Sequence, residues 1–144
     1  MTGAVSLAFR VPAIAAVGLF ALGCGPGGPK RAAVEGTVKV DGEPVSAGTI
    51  NFFPADGNGP SSGGVIANGR YQIAAADGVV VGSNRVEIFG SKPTGRKVPN
   101  AARPGEMRDE VAEIVPVEWN VKSKQVRQVE AETNTFDFEI TIKK

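Results

Sequence analysis

Residues 34–40 read VEGTVKV, and this stretch decides the fold class. Valine or glycine occupies every even-numbered position, whereas glutamate, threonine and lysine occupy the odd-numbered positions. Side chains of an extended chain point alternately to its two faces, so this order gives one apolar face and one polar face. The stretch therefore predicts a half-buried β-strand whose polar face meets solvent.

The same period-two alternation recurs along the rest of the chain. Strands bounded by Gly, Pro, Asn and Asp are typical of all-β domains. The inward-facing side chains are predicted to be Ile50, Phe52, Tyr71, Ile73, Val86 and Ile88. Seven short strands are predicted, at residues 34–40, 49–53, 64–67, 70–74, 84–89, 125–129 and 135–142.

The last predicted strand has the strongest apolar face in the chain. Within residues 135–142, Phe136, Phe138, Ile140 and Ile142 alternate with polar side chains. Aromatic and β-branched residues are favoured in sheets. We therefore expect this strand to run through the middle of a sheet.

Two turns and one bulge are predicted between these strands. Residues 41–44 read DGEP, and residues 68–69 read NG. Asn-Gly between apolar residues favours a two-residue hairpin turn, because both of its central residues need a positive φ. In residues 125–129 the apolar Val126 and Val129 are three apart, which suggests a β-bulge.

Residues 91–110 are the longest stretch without strand periodicity. We predict a loop, in which 108–113 could form one helical turn before Pro116. A patternless run of this length in a compact domain is usually functional or disordered. Its first fifteen residues contain no acidic side chain. They hold four basic residues, which are Lys92, Arg96, Lys97 and Arg103.

Composition favours a single all-β domain. The 144 residues include 19 glycines and 10 prolines, which suit short strands joined by turns. The 16 basic and 15 acidic residues leave a net charge of +1, so no global field recruits nucleic acid. We predict a β-sandwich, with a closed barrel as the alternative.

The N-terminal region has the features of an export signal. Residues 11–22 are uncharged and follow Arg10, but the run is shorter than the roughly 20 residues that span a bilayer. The sole cysteine, Cys24, follows Ala-Leu-Gly, which resembles a bacterial lipobox. That resemblance implies cleavage before Cys24 and lipid attachment to its thiol. An ordinary cleaved signal, an uncut anchor and a buried free cysteine are the alternatives.

Several motifs, in their order, resemble a known domain family. They are GTVKVDGEPV at 36–45, INFFP at 50–54, NGRYQI at 68–73, PVEWN at 116–120 and NTFDF at 134–138. This order is similar to carboxypeptidase regulatory-like, or transthyretin-like, domains of small lipoproteins from planctomycete-type bacteria. The resemblance implies a seven-stranded Greek-key β-sandwich at the cell envelope, with no defined biochemical activity.

We therefore expect three regions in the chain. They are a lipoprotein signal peptide at 1–23, a Gly/Pro tether at 24–33 and the sandwich domain at 34–144. The expected location is the cell envelope, with the chain held at a membrane through a lipid on Cys24.

The chemistry available to the chain is limited because it has no histidine. Without histidine there is no Ser-His-Asp triad, no imidazole base and no histidine-ligated zinc. The close pairs of acidic residues are better explained as exposed side chains. We predict no catalytic residue, no metal and no cofactor.

Two features are candidates for partner binding. The four basic residues of 91–105 could contact an envelope protein or an anionic polysaccharide, or they could be only solvated. Trp119 could stack on a sugar or peptide, or it could plug the core. The leading hypothesis is a noncatalytic interaction module. A carbohydrate-binding module and a carboxylate-based enzyme are the alternatives.

Overall fold

The computed structural model describes residues 27–143. The predicted signal peptide and Cys24 lie outside these residues. The described part consists of β-strands and one 3-10 turn, Ala75–Asp77. The strands are β1 Arg31–Ala32, β2 Val34–Val40, β3 Glu43–Pro44, β4 Ala47–Pro54, β5 Ser62–Ala67, β6 Arg70–Ile73, β7 Val79–Val80, β8 Gly82–Pro99, β9 Met107–Glu113, β10 Val126–Val129, β11 Asn134–Thr135 and β12 Phe138–Ile140.

Most of the strands join in one pairing order, β10-β8-β4-β5-β6-β2-β11. Strands β3 and β12 also pair with β2, β9 pairs with β8, and β1 and β7 form a separate two-stranded sheet. The pairings are antiparallel except those of β11 and β12, which run parallel to β2. Within residues 27–143 the end strands β10 and β11 do not pair with each other, so the closed alternative does not form.

Strands from both ends of this order share one apolar core. Strands β4 and β8 contribute to the same buried cluster as β2, β6 and β12. Because these strands are not neighbours in the pairing order, the sheet must fold over itself to bring their inner faces together. All six inward-facing residues predicted from the alternation are buried, which are Ile50, Phe52, Tyr71, Ile73, Val86 and Ile88.

Both predicted turns are confirmed. Asp41 and Gly42 have φ values of 49° and 83°, and Asn68 and Gly69 have values of 50° and 75°. Two successive residues with positive φ characterise a type I′ turn, which matches the twist of the strands on either side. The Asn-Gly turn joins β5 to β6, where Ala67 pairs with Arg70.

A short strand, β1, lies just before β2 and was not among the strands predicted from the sequence. Strand β1 pairs with β7, and Ala32 is buried in the core. The Arg31 guanidinium donates a hydrogen bond to the carbonyl oxygen of Gly78 at 3.2 Å. The sequence hides this strand, because two residues are too few to show an alternation.

The last strand is not central, which corrects the prediction for 135–142. Among the strands of residues 27–143, β11 and β12 pair with β2 alone and therefore lie at an edge of the sheet. Between them the pairing is interrupted at Phe136 and Asp137. Asp137 compensates, because its Oδ1 accepts hydrogen bonds from the backbone N–H and the hydroxyl of Thr37, at 2.9 and 2.8 Å.

The hydroxyl of Tyr71 holds the interrupted segment against β6. It donates a hydrogen bond to the carbonyl oxygen of Phe136 at 2.8 Å. Burial raises the pKa of Tyr71 well above its usual range, and the nearby Asp137 carboxylate raises it further. The hydroxyl therefore remains protonated and keeps its role as a donor.

The predicted bulge in 125–129 is wrong. The register of β10 on β8 is continuous from Val126 opposite Arg85 to Val129 opposite Gly82. Val129 is buried, whereas Val126 is 48% exposed. The irregular spacing of these valines thus reflects one apolar side chain that faces solvent.

Candidate functional site

Strand β8 extends well beyond the body of the sheet. Its last partner on β4 is Ser91, which lies opposite Ala47. The next eight residues, from Lys92 to Pro99, pair only with β9. We refer to residues 92–113, which comprise this hairpin, as the arm. None of its side chains is buried.

The arm corrects two predictions made from the sequence. Residues 91–110 were expected to form a loop and 108–113 a helical turn, but both lie largely in strands. The alternation of a strand is visible only when one face is buried. Because both faces of the arm meet solvent, its sequence carries no such pattern.

A bulge and a hydrogen-bonded tip shape the arm. Between the pairs Pro93–Val111 and Lys97–Asp109, three residues of β8 oppose a single residue of β9. Gly95, within this bulge, has a φ of 81°, which few other residues adopt. At the tip, the Asn100 N–H donates to the carbonyl oxygen of Glu106 at 2.9 Å.

Each of the four predicted basic residues has an acidic partner. The arm contains five basic and four acidic residues, a net charge of +1, so it is not a positive patch. Exposed ion pairs of this kind contribute little to stability. The pairs are Lys92–Glu43 at 3.3 Å, Arg96–Glu110 at 2.8 Å, Lys97–Asp109 at 2.9 Å and Arg103–Glu106 at 3.5 Å.

One face of the arm combines apolar side chains with an ion pair. Residues directly opposite each other in an antiparallel ladder point to the same face. Three such rungs therefore share a face, with Met107 and Val111 exposed by 56% and 51%. We refer to this surface as the Met107 face. Its rungs are Pro93–Val111, Lys97–Asp109 and Pro99–Met107.

The base and bulge of the arm are held by polar contacts. Lys92 reaches back to Glu43 on β3, which ties the arm to the body. Glu110 accepts hydrogen bonds from the Arg96 guanidinium at 2.8 Å and from the Thr94 hydroxyl at 2.6 Å. These contacts close the bulge across the two strands.

Trp119 lies in a turn that follows the arm. It is half-buried, and its ring meets Phe138 edge-on with 6.2 Å between centroids. Its carbonyl oxygen accepts a hydrogen bond from the Ile88 N–H at 2.8 Å. Trp119 therefore packs against the core. It also borders a groove of about 430 Å³ whose other lining residues are Pro116, Glu118, Thr141, Ile142 and Lys143.

The structure separates the predicted binding residues into two places. Arg96, Lys97 and Arg103 lie along the arm, away from the Trp119 groove. Lys92, at the arm's base, lines a neighbouring groove that shares Ile142 with the Trp119 groove. The lining of the Trp119 groove includes no second aromatic ring.

The described part of the chain has neither a cluster of metal ligands nor a membrane-spanning helix. Within residues 27–143 no three His, Cys, Asp or Glu side chains lie close enough together to hold a metal ion. Over the same residues no helix is long and apolar enough to cross a bilayer.

Sequence reasoning missed Met107 and Val111, which the arm exposes on one face. It also missed the acidic partners, although residues 106–113 hold four acids that roughly balance the basic run before them. That opposition of charge between two adjacent segments is the signal that could have predicted a hairpin. Comparison with protein-family models, with curated proteins and with solved structures found no match.

Proposed function

We propose that this chain is a noncatalytic, lipid-anchored module of the cell envelope that binds another protein through the arm. The carrying observation is the position of the arm relative to the tether. Strand β1, which lies near the end of the predicted tether at 24–33, pairs with β7, and β7 ends two residues before β8 begins at Gly82. The part of β8 that belongs to the body of the sheet ends at Ser91, and the arm begins at the next residue, Lys92.

This arrangement would present the arm away from the bilayer. At about 3.3 Å per residue, β8 spans at most roughly 55 Å from Gly82 to Pro99. A lipid on Cys24 and a tether entering beside β7 would place the membrane near the start of β8. The tip of the arm would then be the part of the domain that meets other molecules first.

The same proposal includes a specific topology for the all-β domain. A seven-stranded Greek-key sandwich of the transthyretin-like kind is supported by the order of the motifs and by the single core shared between non-neighbouring strands. Such a sandwich is a rigid base for a projecting hairpin. Its location at the envelope follows from the resemblance of the N-terminal region to a lipoprotein signal.

The noncatalytic part of the proposal rests on the residues themselves. The chain has no histidine, which removes the commonest general base. Its one buried tyrosine, Tyr71, is occupied by a hydrogen bond to a backbone carbonyl. No step of the proposed function needs a cofactor.

The ion pairs favour a protein partner over an anionic polysaccharide. A polyanion is attracted by net positive charge, and the arm carries only +1 after its acids are counted. A protein surface can instead match apolar side chains and both signs of charge together. Met107 and Val111 supply the apolar part of such a contact.

We expect Cys24→Ser to abolish incorporation of a fatty-acid analogue and to release the protein from membranes. Two or more acyl chains anchor a protein firmly in a bilayer, whereas a protein without acyl chains lacks this anchor. Metabolic labelling followed by membrane fractionation measures both effects. Equal labelling of the wild type and the Cys24→Ser variant would show that the lipoprotein assignment is wrong.

We expect a chain with a shortened arm to lose its protein partners on the cell. Replacing residues 93–111 with Asn-Gly joins Lys92 to Ala112, which already face each other, through a turn that suits two antiparallel strands. The core should be unaffected, because the arm contributes no buried side chain. Crosslinking on whole cells, followed by identification of captured proteins, measures the loss.

A matched variant separates the two kinds of partner. Changing Lys92, Arg96, Lys97 and Arg103 to serine removes four of the arm's five basic charges and keeps the hairpin. If this variant loses anionic polysaccharide and the wild type captures no protein, the partner is a polyanion and the proposal is wrong. If the shortened arm captures the same proteins as the wild type, the arm is not the binding surface.

A further inference from the structure

We infer that the arm binds a second copy of this chain, with two Met107 faces packed around a two-fold axis at the Lys97–Asp109 rung. The inference rests on the proposed function, because it names the partner of the same surface. Three observations carry it: the apolar composition of the outer rungs, the charges of the middle rung and the exposure of the arm.

Both outer rungs of the Met107 face are apolar on each of the two strands. An apolar rung, Pro93–Val111, is followed by a charged rung and then by a second apolar rung, Pro99–Met107. An interface with two-fold symmetry requires a surface that is complementary to itself. An axis that passes through the middle rung and runs parallel to the strands places Met107 of one copy over Pro99 of the other, and Val111 over Pro93, so that apolar groups meet apolar groups at both ends.

The middle rung supplies matching charges. Within one copy, the Lys97 ammonium lies 2.9 Å from a carboxylate oxygen of Asp109. The two-fold axis reverses the second pair, so each Lys97 would lie beside the other copy's Asp109. Four charges that alternate in sign attract one another, whereas a rung of one sign would repel its own copy. The neutral rung therefore allows self-pairing that a basic patch would prevent.

The exposure of the arm favours a partner that covers its apolar side chains. A two-stranded hairpin alone is marginally stable in water, and this one has no buried side chain. A second arm would cover the exposed side chains of Met107 and Val111. The contact spans about 14 Å along β9, at roughly 3.4 Å per residue, which places it among small interfaces. Common anchoring in one membrane raises the effective concentration of copies and favours such a contact.

The first test is crosslinking between cysteines in the lipidated full chain on cells. One tagged copy carries Met107→Cys, and a differently tagged copy carries Pro99→Cys. Mild oxidation should join the two tags. The control pair, Val98→Cys with Arg108→Cys, lies on the opposite face of the arm. We expect at least about tenfold more mixed product from the first pair, since like surfaces meet only on the Met107 face.

The second test exchanges the charges of the middle rung. Lys97→Asp alone leaves two carboxylates on the middle rung, at positions 97 and 109. The yield of crosslinked product should then fall by about tenfold or more, because like charges that face each other across an interface repel. The double variant Lys97→Asp with Asp109→Lys should regain the wild-type yield. Copies of the double variant mixed with wild-type copies should not crosslink, because each charge would then face its like.

The outcomes separate this inference from the proposed function. Equal yields from the two cysteine pairs, or free mixing of charge-exchanged and wild-type copies, would overturn pairing through the Met107 face. If that happens while the shortened arm still loses captured proteins, the partner is a different protein and the proposed function stands. If the shortened arm also captures normally, both fail.

Discussion

Phe138→Ala is expected to lower the free energy of unfolding by about 3 to 5 kcal/mol, the range found when buried phenylalanines are truncated in well-packed cores. Phe138 is 2% exposed. Its ring contacts Tyr71 with 6.4 Å between centroids and receives the edge of Trp119. The Arg127 guanidinium covers it from outside at 4.9 Å. Truncation would leave a cavity between strands that cannot close without moving several of these groups.

Denaturant unfolding of the mature chain measures this effect. Thr141→Ala is the matched control, because Thr141 lies on the same terminal segment but is exposed, and exposed substitutions usually change stability by less than about 0.5 kcal/mol. The expected loss for Phe138→Ala is a large share of the free energy of unfolding of a typical domain, which is about 5 to 15 kcal/mol. A Phe138→Ala midpoint within error of the wild type would mean that the ring is not part of the core.

The place of a strand in its sheet and the burial of its side chains are separate properties. Strand β12 lies at an edge, yet Phe138 and Ile140 are buried, because the inner face of the sheet is covered by the strands folded over it. The apolar pattern of residues 135–142 therefore predicted the burial of Phe138 and Ile140 correctly, but Phe136 is only half-buried, Ile142 is 40% exposed, and the position of the strand was predicted wrongly. The alternation of apolar and polar residues indicates how many faces of a strand are buried, but it does not indicate which strands are its neighbours in the sheet.

Strands with one solvated face were predictable from the sequence. The inward residues of β2, β4 and β6 follow the period of two, and type I′ turns occur at Asp41-Gly42 and Asn68-Gly69, where the sequence indicated turns. In each case the controlling interaction is local, since a turn or an alternating face is encoded within a few residues. The same reasoning fails for the arm, where both faces are solvated and only pairing between strands defines the structure.

The parallel pairing of β11 and β12 with β2 depends on contacts about one hundred residues apart in the chain. Thr37 and Asp137 form one such contact, and Gly36 and Phe136 form another. No local pattern marks a threonine and an aspartate that far apart as partners. The candidate site has the same limitation, because Lys92 pairs with Glu43, 49 residues earlier, and the basic run appeared unpaired in the sequence.

Gly36→Ala is expected to destabilise the domain by roughly 2 to 5 kcal/mol, which combines overpacking with the loss of a hydrogen bond. A Cβ atom at position 36 would lie 1.9 Å from the carbonyl oxygen of Phe136 and 2.6 Å from its carbonyl carbon. Backbone atoms cannot rotate away as a side chain can. The chain between β11 and β12 would therefore have to move outward, and Phe136 would lose its hydrogen bond from the Tyr71 hydroxyl.

The control for this prediction is Gly28→Ala, since among the described residues no atom beyond its two chain neighbours lies within 4 Å of a Cβ at that position. Its unfolding midpoint should match that of the wild type. The double variant Gly36→Ala with Phe138→Ala should lose less than the sum of the two single losses, because both changes loosen the same terminal strand from β2. If Gly36→Ala unfolds like the wild type, the backbone of Phe136 yields freely, and the close approach at Gly36 is not what holds the last strand in register.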